Sequence, residues 1–158
     1  MRDIVKYRGR RKDTGEWVKG YYWKKPIVFL NNSIAWSHYI YAIDESVYPP
    51  NTHNYLVIPE TVGEYTGLND KNGVEIYGSI PINGKMSEGG DKMCFKADKS
   101  SPSGGHYCGT MGFHPENTKV VEWDEGRFML GSFDLRTELK MYEVIGSIHD
   151  EGKPCEEI

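Results

Sequence analysis

Short turn motifs that recur between β-prone runs are the feature that most constrains the fold of this chain. The clearest lies in "YTGLNDKNGVEIYGS", residues 65–79, where the segment 70–73 (Asp-Lys-Asn-Gly) separates two strand-like runs. Asn-Gly favours a hairpin because both residues tolerate a positive φ, and the preceding Asp accepts hydrogen bonds from the turn backbone. Val74 and Ile76 alternate with polar residues, which is the period of a half-buried strand. The stretch therefore predicts a tight β-hairpin.

Similar signals divide the rest of the chain into further short strands. The triplets 13–15 (Asp-Thr-Gly) and 124–126 (Asp-Glu-Gly) are turn sequences, and the second joins apolar runs at 119–123 and 127–130. Other strand-like runs lie at 4–7, 16–23, 26–30, 34–36, 40–43, 55–58, 92–95 and 142–148. Asp134 is placed to cap one or two helical turns. We predict a mainly β protein, a small barrel or sandwich of about ten short antiparallel strands, with at most a short helix near 134–141.

Length and cysteine usage indicate one domain in a reducing compartment. A chain of 158 residues is expected to fold as one domain whose core needs no disulfide or metal. It could be subdivided into an N-terminal hairpin layer (1–66), a C-terminal barrel (67–150) and an acidic tail (151–158). No apolar run approaches the roughly 18 residues of a membrane span, and the start lacks a signal-peptide pattern. Cys94, Cys108 and Cys155 are widely spaced, as expected of reduced thiols. We therefore expect a soluble, cytoplasmic protein with no membrane partner.

The net charge of −4 conceals an asymmetry along the chain. Residues 1–25 hold nine Lys and Arg against three acidic residues, which leaves ten basic and twenty acidic residues in 26–158. A basic segment on an acidic protein can bind a polyanion, or it can bind the acidic part of another copy.

Nucleic-acid binding is one function that this basic segment could serve. Basic and aromatic residues interleave in "YRGRRK" (7–12) and "WVKGYYWKK" (17–25), and phosphates favour Lys and Arg while bases stack on exposed aromatic rings. The candidate nucleic-acid-binding residues are Arg8, Arg10, Arg11, Lys12, Lys19 and Tyr22. Two observations weigh against them. Trp17, Tyr21 and Trp23 share one strand face and could instead fill the core, and the whole chain is acidic.

Catalytic and metal-binding patterns are weak. Cys94, His106, Cys108 and His114 do not have the spacing of structural zinc ligands, which form close pairs with two to four residues between them. Eleven residues separate Cys94 from His106, and His106 and Cys108 flank the single Tyr107. Cys94 lies in an apolar run where burial makes a thiol inert, so Cys108 beside His106 is the better nucleophile candidate. Its context, "SGGHYCG", matches no nucleophile motif, and the pair at 149–150 (His-Asp) is isolated. We expect no catalytic residue, no metal and no cofactor.

Five segments occur in a characteristic order along the chain. They are "YRGRRKDTGEWVKGYYW", "VIPETVGEYTGLNDKNGVEIY", "EGGDKM", "VVEWDEGRFML" and "YEVIGSI". Together they resemble the YopX-like family of phage and prophage proteins. The resemblance implies a single mainly β domain over 1–158, and it implies no established activity, so no catalytic residue is carried over.

These observations combine into one functional expectation with two alternatives. We predict a phage or prophage accessory protein, a non-enzymatic module that binds a partner or associates with itself. Nucleic-acid binding by a small β-barrel through the N-terminal hairpin is the alternative. A small hydrolase is the third possibility.

Overall fold

The computed structural model describes residues 6–95 and 118–150, which contain thirteen strands, one 3₁₀ turn and one short helix. The strands are β1 (Tyr7–Arg10), β2 (Trp17–Val28), β3 (Ile34–Asp44), β4 (Asn51–Leu56), β5 (Gly63–Asn69), β6 (Glu75–Ser79), β7 (Pro81–Ile82), β8 (Lys85–Met86), β9 (Asp91–Phe95), β10 (Thr118–Asp124), β11 (Arg127–Leu130), β12 (Phe133–Asp134) and β13 (Tyr142–Ser147). The 3₁₀ turn covers Pro59–Thr61, and the helix α1 covers Leu135–Glu138.

Most of these strands belong to one extended sheet. Its main path runs β12-β11-β10-β6-β5-β1-β2-β3-β4, while β9 pairs with both β10 and β13 as a branch. β7 and β8 form a separate two-stranded ladder. The pairings between described strands are antiparallel except where β10 meets β6, at Glu122 and Ser79. The mainly β prediction is confirmed. The sheet is not closed into a barrel, so of the two predicted architectures the sandwich is the consistent one.

The turns that the sequence predicts are confirmed where the structure describes them. Glu125 and Gly126 have φ of 41° and 93° and link β10 to β11, as a two-residue hairpin turn requires. Gly15 has φ of 74°, and its N–H donates to the Arg11 carbonyl at 2.9 Å. The predicted helix cap also forms, because the Asp134 carboxylate accepts from the Arg136 N–H at 2.9 Å.

The predicted hairpin at 70–73 joins β5 to β6 and is tied to a distant strand. Gly73 has φ of 80°, in the left-handed region. The buried Asp70 accepts from the Asn72 and Val74 N–H groups at 2.8 and 2.9 Å through Oδ1. Its Oδ2 accepts from the Val144 N–H of β13 at 3.0 Å. One aspartate therefore shapes the turn and holds β13 against it.

β2 and β3 form a longer hairpin than the sequence predicts. Each strand joins two runs that were predicted separately, and the pair is continuous from Tyr21 opposite Tyr41 to Val28 opposite Ile34. The strand predicted at 55–58 is partly wrong, because β4 ends at Leu56 and only Val57 of that run is fully buried. Uninterrupted pairing of β2 with β3 overrides the local polar breaks that separated the runs.

Two groups of buried apolar side chains form the core. One lies among the C-terminal strands and α1 and consists of Ile76, Met93, Val121, Leu130, Leu135 and Tyr142. The other lies under β1 to β5 and consists of Ile40, Val57, Val62, Ile80 and Ile82. Phe128 packs against both groups, so it connects the two parts of the core.

Candidate functional site

The outward face of the sheet carries most of the predicted basic residues. Strand register sets this face, because directly opposed residues in an antiparallel pair point to the same side. Arg8 lies opposite Lys19, and Arg10 lies opposite Trp17. Their neighbours Gly9 and Val18 are opposed on the other side, where Val18 packs against the core. One end of this outward face is therefore basic, and it is formed by β1 and the first residues of β2.

Arg8 is a structural cation at this basic end. Its guanidinium donates to the Asp91 carboxylate at 2.5 Å and to the Gly89 carbonyl at 3.0 Å. It also lies 4.8 Å from the Trp17 ring centroid and 4.6 Å from that of Tyr77. The Arg8 side chain is only 14% exposed and that of Asp91 1%, and burial raises the pKa of Asp91. Arg8 is consequently enclosed by its own chain.

Arg10 and Lys19 are also paired with acidic residues of the same chain. Arg10 donates to Asp150 at 2.9 Å, and Lys19 donates to Glu75 at 2.9 Å. The hydrogen bond from Lys6 to Glu75, and then the bond from Lys19, lower the pKa of Glu75 to about 2. The fold thus neutralises these cations with carboxylates that are far away in the sequence.

Arg11, Lys12 and Tyr22 lie apart from this group. Arg11 makes two hydrogen bonds to Asp13, at 2.9 and 2.6 Å, and its guanidinium lies 4.5 Å from the Tyr55 ring centroid. The Lys12 backbone N–H donates to the Leu56 carbonyl at 2.9 Å, and across the described residues its ammonium has no carboxylate within 4.0 Å. The structure therefore does not gather the six predicted residues into one stripe.

Tyr22 lies on the inner side of β2, against the core. Its half-buried ring packs on the group around Ile40, and its hydroxyl lies 2.7 Å from His38 Nδ1. Burial raises the pKa of Tyr22 and lowers the pKa of the buried His38. Tyr22 therefore presents neither an open ring nor a free hydroxyl for stacking.

The outward face continues beyond the basic end as an exposed apolar surface, which we term the aromatic face. Register places its members on β2, β3 and β4. They are Tyr21, Trp23, Ile27, Tyr39, Tyr41, Ile43 and Leu56. Six of the seven are large apolar side chains with more than a third of their surface open, for example Trp23 at 40%. The expectation that Tyr21 and Trp23 fill the core is therefore wrong.

Contacts within the aromatic face hold its rings in place. Trp23 and Tyr39 stack with centroids 4.8 Å apart, and Trp23 Nε1 donates to Asn54 Oδ1 at 2.9 Å. The register assigns Lys25 to this face and no carboxylate from β2, β3 or β4. A nearly uncharged surface of fixed aromatic rings is typical of a protein docking surface.

The end of the β2–β3 hairpin carries further exposed apolar side chains, at its turn and, for Val28 and Ile34, on the side opposite the aromatic face. Val28, Phe29 and Ile34 are each at least half exposed, and Leu30 is fully exposed. The turn itself is well ordered by hydrogen bonds, since the Phe29 N–H donates to the Ser33 carbonyl and the Asn32 N–H donates to the Phe29 carbonyl, both at 2.9 Å. Sequence reasoning missed this surface because a long apolar hairpin looks locally like a set of core strands.

The candidate catalytic and metal-binding residues are only partly described. His106, Cys108 and His114 lie outside the described residues, as does Cys155. Within residues 6–95 and 118–150 no group of three or more His, Cys, Asp and Glu could hold a metal ion. The expectation of reduced thiols is wrong for Cys94, which is disulfide-bonded. Spacing along a sequence does not report which thiols a fold brings together.

Asp150, the second residue of the isolated pair at 149–150, has a structural role. Asp150 accepts from Arg10, from Trp17 Nε1 at 3.1 Å and from the Ser147 N–H at 3.2 Å. His149 Nε2 lies 3.9 Å from Glu88, and its ring lies 6.4 Å from Trp17. The carboxylate is thus occupied with β1, β2 and β13, and it does not orient the neighbouring imidazole.

The family of the chain is shown by its match to a family model. The model described as YopX protein matches residues 6–153, which is most of the chain. The chain belongs to the YopX family. No curated protein and no solved structure matches it. The single described helix of this YopX-family protein is too short to cross a membrane.

Proposed function

We propose that this YopX-family protein is a non-enzymatic phage or prophage module that binds a second copy of itself through the aromatic face. Family membership suggests the phage-type origin. The observation that supports self-binding is the exposure of Tyr21, Trp23 and Tyr41, at 37%, 40% and 36%, side by side on one face. Protein interfaces are enriched in large aromatic side chains near the centre of the contact patch.

The apolar area is of the size that association requires. A large aromatic side chain carries about 150–250 Å², so at 40% exposure each ring leaves roughly 60–100 Å² open. The four rings of the face therefore leave at most roughly 400 Å² open, and Ile27, Ile43 and Leu56 add to this area. The patch is thus comparable with the largest patch on a monomer, which is about 300–600 Å². Phe29 and Leu30 at the hairpin turn extend this exposed apolar area toward the roughly 800 Å² per partner of a standard interface.

Charge favours a second copy as the occupant. The strands of the aromatic face contribute Lys25 as its charged residue and no carboxylate, so two copies can stack with little like-charge repulsion. β4 also forms the end of the main sheet path, so its outer edge adjoins the same surface. A face beside a sheet edge can pair with itself around a two-fold axis.

Self-binding through apolar rings differs in one measurable way from self-binding through the basic segment. Arg8, Arg10, Arg11 and Lys19 are already paired within the chain. Association by ion pairs weakens at high salt because exposed charges are screened, whereas apolar association does not. Salt therefore distinguishes the two modes of assembly.

Sedimentation velocity over a range of protein concentrations tests the proposal. We expect the wild type to sediment as a dimer or larger species at both 0.1 and 1 M NaCl, and the double variant Trp23→Ser/Tyr41→Ser to sediment as a monomer. Met86→Ser removes an exposed side chain on β8, away from the face, and serves as the matched control. A monomeric wild type at roughly 200 μM, far above common protein affinities, would refute self-binding.

Nucleic-acid binding is the second candidate function. It is favoured by the open Trp23–Tyr39 stack together with Lys25 on the same face, since bases stack on aromatic rings beside cations. Fluorescence anisotropy of a labelled single-stranded oligonucleotide at 150 mM salt is the test. Binding that Trp23→Ser abolishes would support this candidate, and replacing Arg10 and Arg11 should have little effect because both are paired within the chain.

A further inference from the structure

We propose that a cleft between β5, the β10–β11 hairpin and α1 binds a nucleotide, through its planar ring and one phosphate group. The cleft has a volume of about 690 Å³, within the roughly 300–1,000 Å³ of small-molecule sites. None of its lining residues belongs to the aromatic face, so this site is independent of self-binding.

Aromatic side chains on two walls of the cleft suit a planar ring. Trp123 of β10 is half-buried and meets Phe128 of β11 edge-on, with centroids 5.0 Å apart and planes at 71°. Tyr65 lines the cleft from β5. Because Phe128 fixes the orientation of the indole, a ring can stack on Trp123 without a prior rearrangement.

Two guanidinium groups at the cleft are available for a phosphate. Arg127 Nη1 lies 4.0 Å from Asp134 Oδ2, too far for a hydrogen bond. Among the described residues no carboxylate lies within 4.0 Å of Arg136. Lys6, the third cation of the lining, is instead held by Glu75 at 2.6 Å. Guanidinium groups bind phosphate oxygens in a planar, bidentate geometry, so we assign the phosphate to Arg127 and Arg136, which both line the cleft.

Glu64 supplies an acceptor for the N–H groups of a nucleobase. Its half-buried carboxylate lines the cleft, and burial raises its pKa. The Tyr7 hydroxyl hydrogen-bonds to it, and because a carboxylate has about four acceptor sites, others are left for a ligand. With Asp134 it also places negative charge in the cleft, which disfavours a polyphosphate. The chemistry therefore selects one phosphate, either of a free mononucleotide or at the 5′ end of a strand.

Isothermal titration of the full chain with 5′-AMP and with adenosine tests this site. We expect AMP to bind about tenfold more tightly than adenosine, because charge-assisted hydrogen bonds to phosphate add affinity. Arg127→Ala and Arg136→Ala should each remove that difference while leaving adenosine binding unchanged. Lys85→Ala on β8 lies outside the cleft and should bind AMP like the wild type.

Two further measurements assign the ring contact and the source of the phosphate. Glu64→Ala should weaken AMP about tenfold but leave purine riboside 5′-monophosphate, which lacks the amino group, unaffected. Equal affinity for a 5′-phosphorylated hexanucleotide and AMP identifies a strand end, whereas tighter AMP binding identifies the free nucleotide. The proposal is overturned if 5 mM AMP produces no binding heat. It is also overturned if AMP and adenosine bind equally, or if folded Arg127→Ala and Arg136→Ala proteins bind AMP like the wild type.

Discussion

Replacement of Arg8 by alanine shows whether the predicted nucleic-acid contact is instead a structural residue. The Arg8 guanidinium is the cation closest to the buried Asp91 carboxylate, which otherwise accepts one N–H, from Tyr77 at 2.8 Å. Removing one partner of a buried ion pair leaves an uncompensated charge and typically costs about 3–5 kcal/mol. For a chain of 150–250 residues each kcal/mol shifts Tm by about 2–4 °C, so we expect a fall of roughly 10 °C.

Thermal and urea denaturation at pH 7 measure this loss. Arg127→Ala is the matched control, since its side chain is 60% exposed and its free energy of unfolding should change by less than about 0.5 kcal/mol. The deficit of Arg8→Ala should shrink as pH falls, because Asp91, whose pKa is raised by burial, then takes up a proton and no longer buries a charge. Asp91→Asn on an Arg8→Met background should be more stable than the sum of the single effects predicts.

Two results would refute this reasoning about Arg8. One is an Arg8→Ala protein whose free energy of unfolding lies within about 1 kcal/mol of the wild type, because the loss of a buried, hydrogen-bonded cation should destabilise the protein by more than this. The other is strict additivity of the Arg8 and Asp91 replacements, which would mean that the two groups do not interact in solution. Either result would mean that Arg8 is available to bind a polyanion.

Three further predictions concern the turns and the pH dependence of stability. Gly73→Val should cost more than about 1 kcal/mol in thermal denaturation, since φ of 80° strains a β-branched residue, and an unchanged Tm would contradict it. Asp70→Ala should cost about 3 kcal/mol by the same measurement, because three backbone N–H groups lose their acceptor, and Asp70→Asn should cost less. Glu75 has a pKa lowered to about 2, so its contribution is present above pH 4.5 and is lost as pH falls toward 2. In the Glu75→Gln variant, the free energy of unfolding measured by urea denaturation should depend less on pH over that window. The difference from the wild type should be about 1 kcal/mol, because the lysine partners of Glu75 are exposed.

The local structure of this chain follows from its sequence. The turns at Gly15, Gly73 and Gly126 and the cap at Asp134 are correctly predicted because each depends on the conformational freedom or the hydrogen bonding of one or two neighbouring residues. The mainly β class follows from the same local signals. Family membership was also predictable, since it rests on the order of these local motifs.

The partners of the basic residues could not be predicted in the same way. Arg8 and Asp91 are 83 positions apart, Lys19 and Glu75 are 56 apart, and Arg10 and Asp150 are 140 apart. Net charge and charge asymmetry report how many cations need a partner, but they do not report whether the fold supplies one. Four of the five cations predicted to bind a polyanion, namely Arg8, Arg10, Arg11 and Lys19, are thus paired within their own chain.

Burial separates what the sequence determines from what only the tertiary structure decides. Alternation along β2 determines that Trp17, Tyr21 and Trp23 share one face and that Val18 and Tyr22 share the other. It does not determine which face is inward, because a period of two is the same on both sides of a sheet. Packing against the buried group around Ile40 and Val57 covers the face with Val18 and Tyr22, and it leaves Tyr21 and Trp23 more than a third exposed on the other face.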